Sequence, residues 1–247
     1  MSLQRAVEKG ARRRLRLPWW AEPVATTATL TAFGLYSVWE VLWHSSGRYG
    51  NYLSPFFSPD LASLGVHVVP ALWVIWVPLL FRSTCYYYRR EYYRGMLRDP
   101  PACARPERSR RYAGESRFPL YLNNLHRFFF YLAGLVLVVL WKDALQGFWF
   151  QGRLGIGLGS VLLLGNAMLL SLYTFSCHAF RHLVGGGRDC VSCGRRPSLR
   201  YGLWHRVSAW NTRHGGWAWI SMFSVWGTDL YIRLLIGGVL HDPRILL

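Results

Sequence analysis

The stretch Tyr173–Cys193, YTFSCHAFRHLVGGGRDCVSC, decides how this chain is read. An apolar run carries Cys177, His178 and His182 to its end, and Gly185, Gly186 and Gly187 stop it. Cys190-x-x-Cys193 follows. His178 and His182 are four residues apart, so on a helix they share one face. Imidazole and thiolate are ligands that zinc and iron–sulfur iron accept. These residues stand where a long apolar segment gives way to a polar one, which is where a helix leaves a membrane.

Composition supports the membrane. The chain has 247 residues, 52% of them hydrophobic, and 13 tryptophans. Its 29 basic and 12 acidic residues give a net charge of +17. A nucleic-acid binder can be this basic, but it carries the charge on a folded soluble face. Here the charge falls between apolar runs, so no nucleic-acid partner is expected. The pattern predicts an all-α integral membrane protein with the N-terminus cytoplasmic.

Five apolar stretches are each about long enough to cross a bilayer, which takes roughly 20 residues. They cover 24–43, 66–88, 118–141, 154–180 and 216–240. Residues 1–23 form a basic N-terminal segment without the short apolar core and small-residue site of a secretory signal. Pro70 and Pro78 fall inside the second span, which membrane helices tolerate. The whole is one membrane-anchor domain, 1–247.

Loop charge sets the orientation. Residues 1–17 hold six basic residues, 89–118 nine and 181–213 seven, 22 in all. The loops on the other side hold four. The positive-inside rule places the loops 89–117 and 181–215 in the cytoplasm of a multi-pass inner-membrane protein. Their charge suits either a soluble protein partner or anionic membrane lipid.

All five cysteines, Cys85, Cys103, Cys177, Cys190 and Cys193, fall at or beyond cytoplasmic helix ends. Cytosolic thiols stay reduced, so a disulfide framework is not expected. Any one of them alone reads as a small buried hydrophobe. Together with two histidines at helical spacing they read as a metal site. Zinc accepts two cysteines and two histidines. Haem b needs two histidines on facing helices, which His126 with His178 or His182 would supply. A 2Fe–2S centre of Rieske type uses both residue types, with two cysteines on one iron and two histidines on the other.

Several segments resemble the single membrane subunit of actinobacterial-type (type F) succinate dehydrogenases, respiratory complex II. They are Thr84-Cys85-Tyr86-Tyr87-Tyr88-Arg89 with Tyr92-Tyr93-Arg94, Pro101-Ala102-Cys103-Ala104, and Gly114-Glu115-Ser116-Arg117-Phe118-Pro119-Leu120. The likeness continues through Asn124-Leu125-His126-Arg127, Ser176-Cys177-His178 with Arg181-His182, Arg200-Tyr201 with Leu203-Trp204, and Arg213-His214. It spans roughly residues 54–244 in order. The resemblance implies an anchor for a flavoprotein subunit and an iron–sulfur subunit, a Rieske-type 2Fe–2S cluster, and a site for menaquinone or another quinone. The cysteines that match are Cys85, Cys103 and Cys177. Cys85 and Cys103 with His178 and His182 are the expected ligands, and Cys190 and Cys193 are the second choice for the thiolates.

The expected role is electron transfer from the soluble iron–sulfur subunit to quinone, with no catalytic residue on this chain. Arg82, His126 and Arg127 near the cytoplasmic surface are candidate quinone contacts, although snorkelling explains both arginines. Gly155 and Gly159 read as a helix-packing pair and Asn166 as interhelical glue. Asp229 and Arg233, four apart in the last span, are expected to pair. A metal transporter or a scaffold is the reading from a different class.

Overall fold

The computed structural model describes residues 20–44, 46–60, 71–92, 125–185 and 199–246, with Pro18. Among these are eight α-helices: α1 (Ala21–Trp43), α2 (Leu72–Ser83), α3 (Tyr86–Tyr92), α4 (His126–Gln146), α5 (Leu158–Phe175), α6 (His178–Gly185), α7 (Leu199–Asn211) and α8 (His214–Ile236). Two of them, α4 and α5, are long and apolar enough by length and composition to cross a membrane. The basic N-terminal segment up to residue 17 and most of the loop 89–117 lie outside the described residues.

The bundle is dressed for lipid. Leu135 and Val138 on α4 are 67% and 68% exposed, and Leu35 on α1 is 68% exposed. Apolar surface on this scale marks a face that meets membrane or another protein. Inside, Phe33, Val41, Phe56, Ile75 and Met222 form one core, and Leu163, Ala167, Ile232 and Leu235 close around Tyr52 in another. A third core gathers Phe81, Tyr88, Phe130 and Tyr173 around the thiols of Cys85 and Cys177.

Two of the expected spans are not continuous helices. The stretch 66–88 is helical as α2 only to Ser83, breaks at Thr84–Cys85, and restarts as α3. The stretch 154–180 begins as a strand, runs as α5 to Phe175, breaks at Ser176–Cys177, and restarts as α6. Both breaks carry the same local feature. Thr84 Oγ1 donates to Leu80 O at 2.6 Å, and Ser176 Oγ to Tyr173 O at 3.2 Å. Hydroxyls that bond back to the preceding turn compete with the helical ladder and bend it. The region 181–215 also contains α7 and is not a plain loop.

At the other end of the bundle are small β-elements, so the described chain is not purely helical. β1 (Arg48–Tyr49) pairs with β2 (Tyr52–Leu53). β3 (Trp149–Phe150), β4 (Arg153–Gly157) and β5 (Arg244–Leu246) form a three-stranded sheet. The β3–β4 turn is Gln151-Gly152, with φ of 50° and 84°, the positive values that a two-residue hairpin needs. Gly155 therefore belongs to a strand and Gly159 to α5, and the two are not a helix-packing pair. Tyr52 ties this end together. Its hydroxyl donates to Asp242 Oδ2 at 2.6 Å, and burial with that bond pushes its pKa up to about 12.

Candidate metal centre

Four broken or starting helix ends converge on one cavity of about 1070 Å³. The α2–α3 joint brings Cys85, the first residue of α4 is His126, the α5–α6 joint brings Cys177, and the first residue of α8 is His214. Both thiols are 1% exposed. His126 Nε2 lies 3.0 Å from Cys177 Sγ, and His214 Nε2 lies 3.3 Å from Cys85 Sγ. Two thiols and two imidazoles from four separate elements thus meet in crossed pairs.

The second nitrogen of each imidazole is also held. Thr84 Oγ1 is 2.9 Å from His126 Nδ1, and Ser176 Oγ is 2.8 Å from His214 Nδ1. The hydroxyls at the two helix breaks are the ones that hold the two rings. Each ring is also stacked, His126 on Phe81 at 4.7 Å and His214 on Tyr173 at 5.0 Å between centroids. Asn211 Nδ2 donates to Ser176 O at 2.8 Å and fixes the α5–α6 joint from α7. The backbone N–H of Ala179 donates to Cys177 Sγ at 3.4 Å. Partners of this kind fix ring orientation and tautomer in metal sites.

Of the sequence candidates, Cys85 and His126 stand in this centre. His178 and His182 do line the cavity, but both are exposed and face each other with Nε2 atoms 2.9 Å apart. Cys103, Cys190 and Cys193 lie outside the described residues. Arg127 is exposed on the cavity wall, with its guanidinium over Phe128. Arg82 is not snorkelling. It is 4% exposed, donates to Ala218 O and Ser221 Oγ at 3.0 Å each, and sits 4.6 Å from the centroid of the Tyr173 ring. The ligand set expected from sequence left out Cys177 and His214, although both stand in the motifs Ser176-Cys177-His178 and Arg213-His214.

Among the described residues, no group of three or more His, Cys, Asp and Glu side chains gathers around a single ion. A two-iron cluster asks for something else, since its two thiolates and two imidazoles are divided between two irons. The residue types, burial and held second nitrogens of this centre fit that group.

The fold is a helical bundle with exposed apolar faces and a thiol–imidazole centre at one end. Residues 21–238 match the family described as actinobacterial succinate dehydrogenase subunit SdhC, and the chain belongs to that family. It is similar to a chain of the Mycobacterium smegmatis Sdh1 complex in the apo form, with 37% identity and a TM-score of 0.77. The match covers 94% of this chain and 96% of that one. No curated protein matches. The protein is a membrane-anchor subunit of actinobacterial succinate dehydrogenase, complex II.

Proposed function

We propose that this anchor carries a Rieske-type 2Fe–2S cluster on Cys85, Cys177, His126 and His214. The supporting observation is the crossed pair of contacts, His126 to Cys177 and His214 to Cys85. When bound, the cluster would relay electrons, one at a time, from the soluble iron–sulfur subunit to a membrane quinone, menaquinone or another. The chain's own part is to hold the ligands. Thr84 and Ser176 keep each ligating nitrogen aimed inward, and Phe81 and Tyr173 exclude water from the ring faces. Haem b would need two imidazoles free to reach an iron from opposite sides. Here each imidazole of the centre lies against a thiol, a ligand that a bis-histidine haem does not use, which favours the iron–sulfur reading over haem.

Five helices, α1, α2, α4, α5 and α8, cross the cytoplasmic membrane in this reading, with the centre at the cytoplasmic end. The basic loops 89–117 and 181–215 then face the iron–sulfur and flavoprotein subunits. Arg82, His126 and Arg127 remain the quinone-contact candidates. The test is the electron paramagnetic resonance spectrum of the purified, dithionite-reduced complex. A Rieske-type signal that disappears in Cys177→Ser supports the assignment. A haem Soret band with no such signal overturns it.

A further inference from the structure

The end of the bundle opposite the Cys–His centre holds a second set of titratable groups. Tyr36 and Glu40 lie one turn apart near the end of α1, and Asp229 and Arg233 lie one turn apart near the end of α8. Arg233 Nε is 2.7 Å from Glu40 Oε2 and 3.8 Å from Asp229 Oδ1. Its Nη1 donates to Ser46 O at 2.9 Å, and its guanidinium lies over Phe57. Asp229 accepts from the Tyr36 hydroxyl at 2.5 Å and from the Ser54 hydroxyl. His44 Nδ1 lies 3.1 Å from Glu40 Oε2.

Charge and burial do not balance if every group is ionised. Asp229 is 0% and Glu40 2% exposed, and one guanidinium faces both carboxylates. An unpaired charge at this depth is strongly disfavoured. Neutrality requires one proton, on a carboxyl or on His44. His44 is the member of the set at the surface, with 35% of its side chain exposed. Asp229 is the deep member, seven residues or about 10 Å from the end of α8 at 1.5 Å per residue. The next layer inward is a separate, mostly apolar cavity of about 70 Å³. Ser37, Ser58 and Arg82 line it, and Arg82 is the group that reaches the core around Cys85.

We propose that Glu40 and Asp229, with Tyr36, Arg233 and Ser54 around them, form a proton port that exchanges with the face opposite the Cys–His centre through His44. The port holds one proton. That proton leaves a carboxyl inward and is replaced from water by way of the His44 imidazole. Its use rests on the quinone-reduction reading, since a quinone reduced to quinol takes up one proton for each electron it receives. The electrons come from succinate through the partner subunits.

Infrared difference spectroscopy on the purified complex tests the port. The wild-type complex is expected to show a protonated-carboxyl C=O band that shifts in heavy water. Glu40→Gln or Asp229→Asn should abolish that band. His44→Ala, at the surface and tolerant of change, should keep the band and slow its exchange several-fold. No band lost in either carboxyl variant, or unchanged exchange in His44→Ala, would mean a static ion network and would overturn the port. The electron paramagnetic resonance spectrum of the same samples reads the cluster separately. A wild-type complex without the cluster signal would sink the electron-transfer reading and leave the carboxyl assay decisive for the port.

Discussion

His126 and Cys177 are 51 residues apart in sequence and 3.0 Å apart in space. One starts a helix and the other sits in the joint between two, so neither is held by a regular helical ladder on both sides. The contact puts the reactive atoms of α4 and of the α5–α6 joint at one point, which sequence spacing alone does not reveal.

Replacing ligands should separate this centre from the exposed histidine pair. Cys85→Ser, Cys177→Ser, His126→Ala and His214→Ala are each expected to remove the iron–sulfur signal and quinone reduction. Succinate oxidation with a soluble artificial acceptor should persist in all four. The double variant His178→Ala with His182→Ala should keep the signal. If that double variant loses it while His214→Ala does not, the ligand assignment belongs to the exposed pair.

Thr84 and Ser176 are expected to act through the rings they hold. Thr84→Val and Ser176→Ala remove the hydroxyls at 2.9 and 2.8 Å from His126 and His214. Loss of such a partner costs about 10- to 100-fold in metal affinity or activity. Iron content per complex after mild chelation is the measurement, and Thr84→Ser should restore it.

Gly159 is expected to be intolerant of even a methyl group. A Cβ there would meet Tyr52 Cε2 at 2.5 Å, and Tyr52 is pinned by Asp242. Overpacking of this kind costs about 1–3 kcal/mol. Thermal unfolding of the Gly159→Ala complex should shift down, whereas Gly165→Ala, with open space around it, should not.

Asn166 joins α5 to α8 by accepting from Ser224 Oγ at 3.1 Å. Interhelical bonds in a membrane are worth about 0.6 kcal/mol on average. Asn166→Leu and Ser224→Ala should each destabilise by about that amount, and a double-mutant cycle should show the two effects coupled. Independent effects would remove Asn166 from its bonding role.

Orientation has its own check. A reporter fused after Leu247 is expected outside the cytoplasm, and one inserted in the loop 89–117 inside it. Both reporters on one side would remove the five-span arrangement.

The membrane class and the helices were legible because apolar length is a local signal. The helix α1 begins and ends within three residues of the expected 24–43. The breaks at Thr84–Cys85 and Ser176–Cys177 were not legible. The polar interruptions, Arg82-Ser83-Thr84 and Ser176, are short and have aromatic or apolar residues on both sides, so hydropathy runs across them. The ligand set expected from sequence and the residues this structure brings together differ for a related reason. His178 and His182 share a helical face and so attract attention, but that face is the exposed one. His214 has no partner at helical spacing, and it meets Cys85 only through tertiary packing. Asp229 and Arg233 were expected to pair with each other, yet Arg233 lies closer to Glu40, whose helix begins nearly two hundred residues earlier.

The burial of the two thiols has a temporal consequence. At 1% exposure, Cys85 and Cys177 lie beyond the reach of any soluble delivery protein once the helices have packed. The cluster proposed above would then be loaded before closure of the bundle, or through a reopening at the Thr84–Cys85 and Ser176–Cys177 joints. The two joints suit that order, since each separates a short helix, α3 or α6, from the helix before it. Biogenesis of the subunit would then be an ordered process, with the short helices the last pieces to be seated.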